Sequence, residues 1–163
     1  MLLQTVTTQF DAQQDRLRLS AHDGRGATVV IWLSRRMLAV MLPTLLSWLD
    51  RQTSDPIMAE LVHGFEQQRA KADLVPQAPV QTMQGSAQWL AIAVDIGKSR
   101  DKISLGFRGA DDQCATMELD ARALRQWLGM VHQAWQKADW SSDVWPQWVH
   151  ESASAVNKPV ILH

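Results

Sequence analysis

An internal similarity at a spacing of 86 residues constrains this chain more than any other feature. Asp15-Arg16-Leu17-Arg18-Leu19 lies over Asp101-Lys102-Ile103-Ser104-Leu105, and the turn-forming Asp23-Gly24-Arg25-Gly26 lies over Gly109-Ala110-Asp111-Asp112. Without a gap, Leu33, Arg36, Leu38 and Leu42 then fall on Leu119, Arg122, Leu124 and Leu128, all identities. Leucines coincide in any two amphipathic segments. Coinciding Asp, Arg, turn and capping positions are harder to obtain by chance, so the spacing points to a duplicated supersecondary unit.

The hydrophobic pattern gives each unit three strands and a helix. In the first unit Val6, Thr8 and Phe10, then Leu17, Leu19 and Ala21, then Val29, Ile31 and Leu33 each share one face, the period of a half-buried strand. In the second, Leu90, Ile92, Val94 and Ile96 alternate along one strand, followed by Ile103, Leu105 and Phe107 and by Ala115, Met117 and Leu119. Val30 and Trp32 make the third strand of the first unit apolar on both faces, so something must cover it from outside. Helices are expected after the N-caps Ser34 and Asp120, with the stripes Leu38, Met41, Leu42, Leu45, Leu49 and Leu124, Trp127, Leu128, Val131, Trp135. Pro43 and Gly129 coincide midway, which predicts a kink or a close helix contact.

Between the units, Asp55-Pro56 opens a further helix ending near Asp73, with Ile57, Met58, Leu61, Val62 and Phe65 as its expected buried face. The chain thus divides into a βββα repeat over 1–52, a connecting helix over 53–74, a linker over 75–86, a second βββα repeat over 87–139 and a Trp-rich tail over 140–163. Val160-Ile161-Leu162 in that tail reads as an added edge strand or as disordered chain. The fold class is α+β: two tandem pseudo-symmetric repeats, antiparallel sheets packed by helices, in one compact domain.

A formal net charge of -1 gives no global electrostatic case for nucleic acid or an anionic membrane. The single Cys114 rules out an internal disulfide framework, and no stretch approaches the roughly 18 apolar residues of a membrane span. The first residues show no cationic region followed by an apolar run, so no secretory leader is expected, and a cytoplasmic location is the simplest setting.

Few residues carry a chemistry. The matched charges suggest structural ion pairs, Asp15 with Arg36 and Asp101 with Arg122, closing each hairpin onto its helix. Arg35 has no charged counterpart, since Ala121 takes its place; with Arg16 and Arg18 it forms a candidate anion-binding or nucleic-acid patch beside a helix N-terminus. Gly97-Lys98-Ser99 lacks the first glycine of a phosphate loop and reads as a hairpin turn. Glu60 and His63 have a di-metal spacing without a second copy, so no metal, cofactor or catalytic residue is assigned. Four tryptophans between residues 135 and 148 are either tail staples or an interaction surface, with Trp140, Trp145 and Trp148 joining Val30 and Trp32 as surface candidates.

The resulting expectation is a non-enzymatic protein-interaction module, self-associating as a homodimer or binding another protein. A single-stranded nucleic-acid-binding protein of repeated sheet–helix type is the first alternative. A small-ligand-binding protein or enzyme with a pocket between the repeats is the second.

Overall fold

The computed structural model describes residues 1–53 and 57–154. The helix-opening pair Asp55-Pro56 and the Val160-Ile161-Leu162 stretch lie outside the described residues. Within them the chain is α+β, with two four-stranded sheets and four α-helices.

The first sheet has the order β2-β3-β4-β5, from Thr5–Asp11, Arg16–His22, Thr28–Leu33 and Ala87–Leu90. The second has the order β1-β8-β7-β6, from Leu2–Leu3, Cys114–Leu119, Ile103–Arg108 and Ala93–Lys98. Each sheet is therefore a three-stranded antiparallel meander from one half of the chain, extended by a parallel strand from the other half. Leu2 pairs with Thr116 and Leu3 with Met117, while Gln88 pairs with Val30 and Trp89 with Ile31. Adding 86 to Leu2 and Leu3, and subtracting it from their partners, converts one register into the other.

This exchange corrects the sequence reading of residues 89–96. What looks like one alternating strand is two, in different sheets, joined at Ala91 and Ile92. Ala91 N–H donates to Trp32 O at 3.0 Å in the first sheet, and Ile92 N–H to Arg108 O at 2.8 Å in the second. Pairing beside Ile31 turns Trp89 inward to 7 % exposure, while Ile92, expected inside, is 61 % exposed.

The two long helices form as their patterns require. In α1 (Arg35–Asp50) the Ser34 hydroxyl accepts from Met37 N–H at 3.2 Å; in α3 (Ala121–Lys137) the Asp120 carboxylate accepts from Ala123 N–H at 2.8 Å. Each bond satisfies one of the donors left free by the first helical turn. The expected stripes of both helices are buried, in one core with the inward faces of both sheets. Pro43 lies inside an unbroken α1, and Gly129 marks a close contact: a Cβ there would meet Gln67 Nε2 at 3.4 Å. No helix among the described residues is long and apolar enough to cross a membrane.

The outer cover of β4 is the linker. Val80 N–H donates to Thr7 Oγ1 at 2.9 Å, Arg18 Nη2 to Thr82 Oγ1 at 2.9 Å, and Thr28 Oγ1 lies 2.6 Å from Ser86 Oγ. The registers put Thr7, Arg18 and Thr28 on the same face as Val30 and Trp32. Val30 is fully buried there and Trp32 half-buried, so the two-sided strand is covered by its own chain.

Candidate interaction surface

The connecting helix α2 (Ala59–Ala72) turns His63, Gln67 and Ala70 inward in place of the expected face, of which Ile57, Met58, Leu61 and Phe65 are exposed; Glu60, Glu66 and Arg69 stay exposed as well. The reason lies in what α3 offers it. α3 presents Arg125 and Gln126 there, so the complementary face has to make hydrogen bonds. Gln67 Nε2 donates to Arg125 O at 2.8 Å, and Gln126 Nε2 donates to Ala70 O at 2.9 Å.

At the centre stands His63, 2 % exposed. Arg125 Nη2 lies 2.8 Å from its Nδ1, and a guanidinium can only donate, so Nδ1 is the acceptor. The ring proton then sits on Nε2, which faces Asp50 Oδ1 at 3.0 Å. A carboxylate, an imidazole and a guanidinium thus form a relay that connects the buried Arg125 to the exposed end of α1. The short helix α4 (Gln147–Ser154) closes it: Trp148 stacks on His63, with centroids 5.1 Å apart and planes at 20°, and takes the Arg125 guanidinium 5.3 Å from its ring centre. Burial, and then the neighbouring Arg125 charge, lower the His63 pKa against the opposing pull of Asp50, so the imidazole is neutral in this arrangement. Burial also lowers that of Arg125, offset in part by Glu66 and Asp50.

Helix geometry now fixes the other side of α2. Residues two positions apart on an α-helix are about 200° apart, so turning His63 and Gln67 inward turns Leu61 and Phe65 outward. They are 51 % and 62 % exposed, and Met58 is 45 % exposed. With Gly64, Gln147 and Glu151 they line an open groove of about 480 Å³. The buried set His63, Gln67 and Arg125 was missed by sequence reasoning, although Arg125 stands beside the apolar stripe of α3 and His63 and Gln67, four residues apart, share one face of α2.

The residues singled out from sequence are placed as follows. Trp140, Trp145 and Trp148 are 5–7 % exposed and belong to the core, not to a surface. Trp140 packs edge-on against Phe10 and Trp135, and Trp145 against Trp135 and His132, so the tail is stapled down by its indoles. Val30 is closed off by the linker. Arg16 and Arg18 share the outer face of the first sheet, where Arg18 is tied to Thr82, and Arg35 is exposed in the first turn of α1. Neither expected ion pair forms among the described residues. Asp15 accepts from Trp140 Nε1 at 3.1 Å, and Arg122 reaches Asp73 at 3.6 Å. The two aspartates are not equivalent in space: Phe10 pairs with Leu17 but Lys98 pairs with Ile103, a shift of two residues that puts Asp101 at the tip of its turn. Arg36 has no ion-pair partner among the described residues, so α1 carries two cations in a first turn with no acid.

A cavity of about 90 Å³ lies between α2, α3 and α4, lined in part by Gln67, Lys71, Arg125 and His132. No family model matches the chain, and neither a curated protein nor a solved structure matches it.

Proposed function

We propose that this chain is a non-enzymatic protein-interaction module, built from a duplicated sheet–helix unit, that associates with a second copy of itself through α2. The observation that carries the reading is the exposure of Met58, at the N-cap, and of Leu61 and Phe65 on the side of α2 opposite the buried His63 and Gln67. Their spacing of three and then four residues is that of a seam between two helices. Exposed apolar side chains grouped in this way mark association surfaces in soluble chains.

A second copy fits this stripe by charge. Glu60 stands in the first turn of α2 and Arg69 and Lys71 in the last, so antiparallel pairing sets the acidic end of one helix against the basic end of the other. Such an arrangement is isologous and closes as a twofold dimer. The duplication is supported by the paired registers of the exchanged strands, by the equivalent caps Ser34 and Asp120, and by strands β4 and β8 of equal length 86 residues apart.

Oxidative cross-linking tests the surface. With the exposed Cys114 replaced by serine, Phe65→Cys is expected to give a disulfide-linked dimer under mild oxidation, whereas Val40→Cys, at an equally exposed position on α1, is not. Equal cross-linking of the two variants, or none in Phe65→Cys, refutes the reading; the latter result also covers the case in which another part of the same chain occupies the groove.

A further inference from the structure

The two halves of the chain contain corresponding clefts, and they differ in a way that the fold does not require. One lies where the second half of α3 meets β2, the other where the end of α1 meets the end of β6 and the turn that follows it. Phe10 and Lys137 line one of them. The other, an open cleft of about 520 Å³, is lined by Trp48, Arg51, Gln52, Lys98, Ser99 and Arg100. Arg51 corresponds to Lys137 by the 86-residue spacing. Lys98 is paired with Ile103 as Phe10 is with Leu17, so Lys98 and Arg100 stand where Phe10 and Ala12 stand in the other half. One cleft holds a single cation at these positions and the other holds three.

Hydrogen bonds from uncharged side-chain donors already hold each hairpin turn. In the first half Trp140 Nε1 donates to the Asp15 carboxylate at the hairpin turn, at 3.1 Å. In the second, Trp48 Nε1 donates to Ser99 O at 3.0 Å and Gln52 Nε2 to Arg100 O at 3.2 Å, which pins the turn to the end of α1. The C-terminal end of α1 brings about half a negative charge, which offsets only part of Arg51. No carboxylate lines the cleft, and none of Arg51, Lys98 and Arg100 forms an ion pair among the described residues. The neighbouring Asp50 is directed to His63 instead.

We infer that this cleft binds the diphosphate group of a small molecule. Two guanidinium forks can each engage a pair of phosphate oxygens while Lys98 adds a point charge, a set suited to an anion with more than one negative charge. The volume lies within the roughly 300–1,000 Å³ of ligand sites. The comparison of clefts rests on the duplication proposed above; the site itself shares no residue with the α2 surface, so either can fail alone.

The test is titration of the full ¹⁵N-labelled chain with inorganic pyrophosphate at constant ionic strength. Saturable shifts of the Ser99 and Arg100 amides and the Trp48 indole N–H are expected, half-complete at or below ~1 mM. Lys98→Gln/Arg100→Gln, at positions that pack no core, weakens binding at least tenfold while the Trp127 and Trp135 indole resonances stay in place. A nucleoside diphosphate in a parallel arm distinguishes the source: equal affinity assigns free diphosphate, tighter binding a diphosphate ester. Unsaturated shifts, shifts reproduced by chloride, or unchanged affinity in the double variant overturn the inference.

Discussion

Lowering the pH from 7.5 to 5 should destabilise this protein through one buried imidazole. His132, on α3, is 1 % exposed, with Nε2 3.2 Å from His150 Nδ1 and its ring edge-on to Trp145 at 5.0 Å. Burial pushes its pKa down to about 4, helped by the positive forms of His150 and Lys71 nearby. The unfolded chain holds the same group near 6.5. The folded state therefore favours the neutral ring, the unfolded state takes up the proton first, and stability is lost as pH falls through the window between those values. Linkage makes the full loss about 3 kcal/mol, reached below pH 4, with about 2 kcal/mol already gone at pH 5. Urea unfolding at a series of pH values measures this, comparing the natural chain with His132→Gln, which can still bond His150 but does not titrate. His63 adds a loss of the same sign in both proteins, so the difference between the two curves isolates His132. Parallel curves from pH 7.5 to 5 refute the reasoning.

Two further outcomes follow from the packing. His63→Leu leaves the Arg125 guanidinium buried without its relay to Asp50, and should cost about 3–5 kcal/mol. Arg125→Met added to it should restore part of that loss, as a double-mutant cycle in denaturant would read. Ser34→Ala and Asp120→Ala should each cost about 1 kcal/mol by thermal or urea unfolding, and the two losses should add, since the caps lie on different helices.

The elements with a strong period were legible in the sequence. Ser34 and Asp120 do cap helices whose stripes are buried, because caps and 3.6-residue periodicity are local physics. The exchange of β1 and β5 between sheets was not legible. Parallel pairing of Leu2 with Thr116, or of Gln88 with Val30, joins distant parts of the chain and leaves no local mark, and Trp89 to Ile96 alternates whether or not the strand breaks at Ala91. The orientation of α2 failed for a related reason. Its larger apolar residues group toward one side of its first half, but the surface it meets carries Arg125 and Gln126, and buried hydrogen-bonding groups require partners. The tail indoles were visible as a cluster, but whether tryptophans staple or dock depends on neighbours such as Phe10 and His63 that come from distant parts of the chain.

Sedimentation equilibrium of the natural chain beside Leu61→Glu/Phe65→Glu tests the central claim most directly. The natural chain should approach twice its 18.4 kDa mass as concentration rises toward ~1 mM. The double variant should stay at the single mass, with the thermal stability of the natural chain when both are dilute enough to be monomeric, because the replaced side chains are exposed in the free chain. A natural chain that remains at 18.4 kDa throughout, or a double variant that dimerises equally well, would contradict self-association through α2.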